Sequence, residues 1–242
     1  MKMLYTLLMI GWLPLCAPAQ DALFERAQAA YDDGRYAEAA HLYEQMISNG
    51  VANAEVHYNF ANACFKNSEL PNAVQYYRLA AYELPRDPDI AANLYFALNA
   101  AGAVEPAPSF VERFLSTLSK SEWILAGTGG YLLLAVLLIL LLFMKNQRRP
   151  LARLLALPIL MLALAGLGWR YWRGFETHPE WVVIRTEATA LFGPVEGSTA
   201  HFKLPPGALV RQRGSDSKGW IEVEYDGKRG WLKQDYIRPV SP

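Results

Sequence analysis

Cysteine is nearly missing from this chain of 242 residues, which holds two, Cys16 and Cys64. If Cys16 leaves with an N-terminal leader, one thiol remains, so no internal disulfide can form and stability has to come from packing. Excess charge is missing too. The 23 basic and 23 acidic side chains balance, and no basic patch marks a nucleic-acid surface. Acidic groups outnumber basic ones over residues 20–120 and equal them over 174–242. The four histidines, His41, His57, His178 and His201, lack metal-ligand spacing such as HExxH. A glycine-rich phosphate loop and a G-x-S-x-G elbow are also lacking. No catalytic residue, metal site or cofactor is therefore expected, and the chain reads as non-enzymatic. Cys64, with Lys66 two residues on, keeps one redox alternative open, because a thiol reacts only in an electropositive, partly exposed setting.

Apolar residues are what the chain has in quantity, and two long runs concentrate them. Trp123 to Met144 and Leu151 to Trp169 are each about long enough to cross the roughly 30 Å hydrocarbon core as a helix. The spacing predicts transmembrane helices over 123–144 and 151–172. Lys145, Arg148, Arg149 and Arg153 fill the turn at 145–153, and this basic turn is expected to stay in the cytoplasm. Both flanking soluble parts then lie on the far side. Residues 1–19 agree: Lys2 precedes an apolar stretch, and Ala17-Pro18-Ala19 offers the small residues of a signal-peptidase site. Lipid modification at Cys16 and an uncleaved anchor remain alternatives.

Residues 21–102 repeat internally. Tyr31, Gly34, Tyr36, Ala39 and Tyr43 stand 34 residues before Phe65, Ser68, Leu70, Ala73 and Tyr77, the period of the tetratricopeptide repeat. Small residues are expected where paired helices cross, at Ala27, Ala39, Ala61, Ala73 and Ala80. The run 59–63, Asn-Phe-Ala-Asn-Ala, resembles the first-helix core of that family, and Pro85 sits where its second helix ends. A third unit opens at Asp87-Pro88-Asp89 with proline and acidic groups suited to a helix start. It stops at Gly102 with no second helix, so it reads as a cap over the open end of the stack. Residues 103–121 form a proline-containing linker followed by the amphipathic set Phe110, Val111, Phe114, Leu115 and Leu118, a juxtamembrane helix or one lying on the membrane surface.

Residues 177–242 follow a period-two pattern. Five short runs rich in β-branched and aromatic residues alternate with Gly, Pro, Asp and Ser turns, and Asp226-Gly227 is a tight-hairpin signal. A small barrel is expected. Leu204-Pro-Pro-Gly207, Gly219-Trp220 and Gly230-Trp231-Leu232 resemble bacterial SH3-like domains, and that resemblance implies a groove for peptides or cell-wall material. Its candidate lining is Trp220, Tyr225, Trp231 and Tyr236.

The fold class read from the whole chain is a multidomain membrane protein: an α-helical tetratricopeptide-repeat array, a two-helix transmembrane hairpin and a small all-β SH3-like barrel. Tyr58-Asn-Phe-Ala-Asn62, Ala73-Val-Gln-Tyr-Tyr77 and Asp89-Ile-Ala-Ala-Asn-Leu94, in this order of modules, resemble the tetratricopeptide component of the Bacteroides-aerotolerance (Bat) operons. The resemblance implies a Gram-negative inner-membrane protein with both soluble parts periplasmic, working in aerotolerance or envelope stress. It further implies partners among von Willebrand factor A-domain membrane proteins and a MoxR-type AAA+ ATPase system. Peptidoglycan is a further candidate ligand. By resemblance to the repeat family, the first helices line a protein-binding groove at Phe24, Gln28, Tyr31, Tyr58, Asn59, Asn62, Phe65, Lys66, Asn93 and Phe96. The expected role is a membrane-anchored periplasmic scaffold. The alternative is an envelope sensor whose SH3-like part binds peptidoglycan or a stress ligand and signals through the hairpin. Reporter fusions at Ser121 and Thr177 should both read as extracytoplasmic; a cytoplasmic signal from either would overturn this layout.

Overall fold

The computed structural model describes residues 17–105, 108–177, 179–216 and 218–240. The apolar stretch of the expected signal sequence, Cys16 and His178 lie outside them. Five helices come first: α1 (Ala17–Asp32), α2 (Tyr36–Ser48), α3 (Ala54–Lys66), α4 (Leu70–Glu83) and α5 (Pro88–Ala100). They stack as two helix pairs plus one further helix. Ala27, Ala39, Ala61, Ala73 and Ala80 are fully buried, so the helices cross at the small residues. Tyr43 and Tyr77 fill the space beside them.

The 34-residue period is written into the backbone. Gly34, Ser68 and Gly102 all take positive φ, at 77°, 64° and 67°. Just after each, Arg35, Glu69 and Ala103 donate their amides back to the carbonyls of Ala30, Cys64 and Leu98 at 2.8 to 2.9 Å. This is the hydrogen-bond closure of a Schellman helix end, in which a left-handed residue turns the chain out of the helix. Three successive first helices thus end alike. Only the middle one uses a residue with a side-chain penalty at that φ.

The sixth helix is short. α6 (Phe110–Leu115) and α7 (Lys120–Phe143) each start with a reciprocal cap, Ser109 with Glu112 and Ser119 with Glu122. The amphipathic stretch is therefore broken at residues 116–119. α8 (Arg148–Leu154) and α9 (Ala156–Thr177) complete the helical part. The basic segment, expected as a turn over 145–153, is mostly helical: only Lys145–Gln147 form a 3₁₀ turn. Pro150 is tolerated because it falls in the first turn of α8, where its missing N–H has no intrahelical partner to lose.

Lys120–Phe143 and Lys145–Phe175 are long and apolar enough to cross a membrane. They pack as a hairpin through small residues. A Cβ added to Gly127 would lie 3.2 Å from Ala165, and one on Gly130 would lie 3.1 Å from Met161. Gly168 faces the Trp123 ring, where a Cβ would come within 2.2 Å. Gly129 and Gly166 meet nothing and face outward.

The C-terminal part is a seven-stranded antiparallel sheet: β1 (Glu180–Val183), β2 (Ala188–Leu191), β3 (Ala200–Leu204), β4 (Leu209–Ser215), β5 (Trp220–Tyr225), β6 (Lys228–Lys233) and β7 (Ile237–Val240). Its order is β3-β2-β6-β5-β4-β1-β7. The expectation of a closed barrel gives way here to an open sheet, with β3 and β7 as edges among the described residues. β3 and β7 lie outside the five expected strands because Ala200-His-Phe-Lys-Leu and Ile237-Arg-Pro-Val carry weak apolar alternation. Asp226 and Gly227, at φ 48° and 73°, make the tight turn between β5 and β6. Gly230 has to be glycine: a Cβ there would sit 2.8 Å from that of Ala190.

Replacing Ser68 by Gly removes the left-handed penalty without touching the core. The expected outcome is a stabilisation of about 1 kcal/mol, read as a higher melting temperature of the detergent-solubilised protein; an unchanged or lower value would contradict it.

Candidate functional site

Three surfaces compete for the role of functional site. The first is the groove expected on α1, α3 and α5. Phe24, Tyr31, Tyr58, Asn59, Asn62, Phe65 and Asn93 are half-buried, while Gln28, Lys66 and Phe96 are exposed. The structure joins four polar groups at its centre. Tyr77 donates to Asn62 Oδ1 at 2.6 Å, and Asn93 Nδ2 lies 2.8 Å from the Tyr58 hydroxyl and 3.2 Å from Asn62 Oδ1. Burial raises the Tyr77 phenol above its ordinary range, so it stays a donor. The Asn62 amide oxygen thereby helps hold α3, α4 and α5 together. The Asn59 side chain makes no hydrogen bond among the described residues, so both its amide functions are available. Phe96 stacks edge-on against Tyr95, and both rings are more than half exposed. Phe24 packs edge-on against Tyr43, and Tyr31 against Tyr36.

The second surface is the aromatic set of the sheet, which the structure divides. Trp220 lies opposite Lys233 and Trp231 opposite Glu222, so the two tryptophans share one face of the β5–β6 ladder. Trp220 is buried, with the Lys233 ammonium 5.8 Å from its ring centre. Tyr225 lies on the opposite face and is buried against the helices, where its hydroxyl accepts the Val104 amide at 2.8 Å. Tyr236 stands in the 3₁₀ turn Gln234–Tyr236 with the Arg185 guanidinium 5.3 Å from its ring. Trp231 and Tyr236 are half-buried. The four residues do not line one groove.

The third surface has no counterpart in the sequence reading. A repeat stack without its last second helix leaves the outer face of α4 bare, and here the sheet covers that face. Gln75 donates to the Pro239 carbonyl at 3.1 Å, and Arg238 donates to Asn72 at 3.0 Å. Gly207, at φ 87°, brings the chain against Val74 and Ala101, where an added Cβ would lie 3.2 Å from Ala101. Below this contact Arg78 of α4 enters a cluster of charges. It binds Glu105 of the linker, and its Nε lies 3.2 Å from Glu180 of β1. Tyr82 donates to the same Glu180 at 2.9 Å. Arg211 of β4 reaches Glu112 of α6 at 3.2 Å and Glu180 at 4.0 Å.

Burial disfavours the charge on Arg78, but Glu180 and Glu105 outweigh it and hold the guanidinium protonated. The same burial, reinforced by Glu180, raises the Tyr82 phenol well above its usual range. Glu112 is held below the ordinary carboxylate range by the Ser109 amide first, against partial burial, and then by the Ser109 hydroxyl and by Arg211. The Arg78 Nε is buried without a well-aligned acceptor, so its own contact with Glu180 is held by charge rather than by hydrogen-bond geometry. It borders a cavity of about 420 Å³.

The hairpin joins the same junction. Tyr82 packs edge-on against Trp172 and beside Phe175 of α9. Trp123 and Trp172 donate their indole N–H groups to the carbonyls of Leu115 and Leu118, each at 3.0 Å. Arg86 pairs with Glu122 at the start of α7. Cys64 points elsewhere: it is fully buried in the array, and burial raises its thiol far above the reactive range.

Residues 24–89 match the model of the tetratricopeptide repeat family. The chain contains tetratricopeptide repeats. No curated protein matches it. Arrays of this kind typically act as non-enzymatic surfaces for protein–protein contact, in keeping with a groove that presents amides and aromatic rings.

Arg78→Met leaves Glu180 buried beside Tyr82 with its nearest counter-charge removed. The expected cost is about 3–5 kcal/mol, visible as a lower melting temperature and as protease cleavage opening in the linker at 101–105. A variant as stable and protease-resistant as the parent would contradict the role given to this cluster. Acid acts on the same contact through Glu112. Its lowered folded pKa gives stability that is complete above about pH 4.5 and is lost as pH falls through the lowered value.

Proposed function

We propose that this protein is a membrane-anchored scaffold whose repeat array grips an extended segment of a partner protein. The supporting observation is Asn59, a half-buried amide on α3 that no group among the described residues uses, on the same helix as the half-buried Tyr58 and Phe65. An amide that stays open to solvent in this way can give its donor and acceptor to the backbone of a bound segment. The groove's basic content rests mainly on Lys66, so an internal segment, held by backbone hydrogen bonds and apolar contacts, fits better than a terminal carboxylate.

In this reading α7 and α9 cross a bacterial inner membrane, the turn at Lys145 faces the cytoplasm, and array and sheet share the periplasmic side. The sheet is an SH3-like module that has given one of its faces, with Tyr225, to the array. Trp231 and its neighbours remain for a second partner or for peptidoglycan. The resemblance to the tetratricopeptide component of the Bacteroides-aerotolerance operons supports partners among von Willebrand factor A-domain membrane proteins and a MoxR-type ATPase system, in aerotolerance or envelope stress. The sensor reading draws on the contact between α4 and α9, through which occupancy of either soluble part could reach the hairpin. The same contact favours the scaffold, since a junction packed by charge and aromatic rings holds its parts in one arrangement.

The test is photo-crosslinking in cells from Tyr58 and Phe65 positions. One envelope protein should be captured, and Asn59→Ala should lower its yield about tenfold, the loss of roughly 1.4 kcal/mol expected for one amide's hydrogen bonds. Equal capture from an outward-facing control such as Glu38, or a yield indifferent to Asn59, would sink the groove assignment.

A further inference from the structure

A second cavity, of about 630 Å³, lies where α3, α4, α7, α9 and β7 meet. Its apolar walls are Ala54, Leu79, Leu84, Trp172, Phe175 and Val240, with Tyr82 beside them; Ser119, Lys120 and Ser121 at the start of α7, and Asn53, Glu55 and Glu83 at the facing helix ends, supply the polar part of the lining. Two of those walls, Trp172 and Phe175, close the second apolar span, and the two serines flank Lys120, the first residue of the other span. The cavity therefore stands at the level where both spans emerge. Leu84, on its rim, is nearly half exposed. Apolar cavities of several hundred Å³ with a few polar groups at one side are the usual form of a site for a small hydrophobic ligand.

Position then selects the ligand. At the end of a membrane-crossing hairpin, the apolar molecule in greatest supply is the hydrocarbon of the adjoining leaflet. Trp and Ser at that depth suit an interface between tails and headgroups. We infer that this cavity takes an acyl chain of a membrane phospholipid, with the headgroup at the serine rim. The inference rests on reading α7 and α9 as membrane-crossing. A tail lodged there packs against the end of α4 and against Trp172, so lipid becomes part of the contact that sets the array over the membrane.

The test uses full-length protein in nanodiscs containing a phospholipid with a diazirine near the end of one acyl chain. After irradiation, label is expected on residues 79–84 as well as on residues 132–139 in the middle of the first span. Ala54→Trp fills the cavity, and Leu84→Lys places a charge on its exposed rim with little packing to lose. Each should lower label on 79–84 about tenfold while label on 132–139 stays unchanged. Label on 132–139 but none on 79–84, or label on 79–84 that neither variant alters, overturns the acyl-chain site. A headgroup-borne diazirine that labels 79–84 in place of the tail probe overturns it as well. Loss of label from both segments instead removes the membrane-crossing reading beneath it.

Discussion

Arg78 is the charge on which three parts of the chain converge. It projects from the second helix of the second repeat into a space that, in a longer stack, another helix would fill. Here the linker brings Glu105 to it, the first strand brings Glu180, and Tyr82 one turn further on shares Glu180 and reaches Trp172 of the hairpin. Buried charge is expensive, and the expense is tolerable only while every partner is in place. The cluster thus rewards one arrangement of array, sheet and hairpin and penalises others.

That arrangement changes what each part can present. The sheet spends Gly207 and the end of β7 on covering α4, and Tyr225 on the linker after α5, which leaves the far face of the β5–β6 ladder for any ligand. The array keeps its groove, because the covering lies on the second-helix side and the groove on α1, α3 and α5. The hairpin, stiffened where Gly127, Gly130 and Gly168 admit their neighbours, is bonded to the end of α4 through Tyr82 and to the turn after it through Arg86 rather than joined by a loose tether. A scaffold needs this geometry: two surfaces at fixed separation and fixed height.

Much of this was legible in local sequence, and the reasons are local. The 34-residue period, the small residues at helix crossings, the Asp87 cap and the Asp226-Gly227 hairpin depend on a few adjacent residues, and each is present as its chemistry requires. The two Ser-x-x-Glu caps at Ser109 and Ser119 were equally local, but the apolar spacing of 110–118 masked the break between them. What stayed hidden is long-range. Nothing near Arg78 or Tyr225 in sequence tells that the first meets Glu180 and the second Val104, each across more than a hundred residues. Trp220 and Tyr225 looked alike as aromatic strand residues, yet their five-residue separation puts them on opposite faces, one beneath Lys233 and the other against Val104. The role of Asn62 was likewise unreadable: its amide oxygen accepts from both Tyr77 and Asn93, while the amide of Asn59, three residues earlier, is left open.

The central claim is that array and sheet form one body through the outer face of α4. The most direct measurement is the distance between spin labels at two exposed positions, Glu44 on α2 and Arg229 on β6, by double electron–electron resonance in nanodiscs. A single narrow distance distribution is the predicted result. A broad distribution, as two modules on a flexible linker would give, would contradict the account.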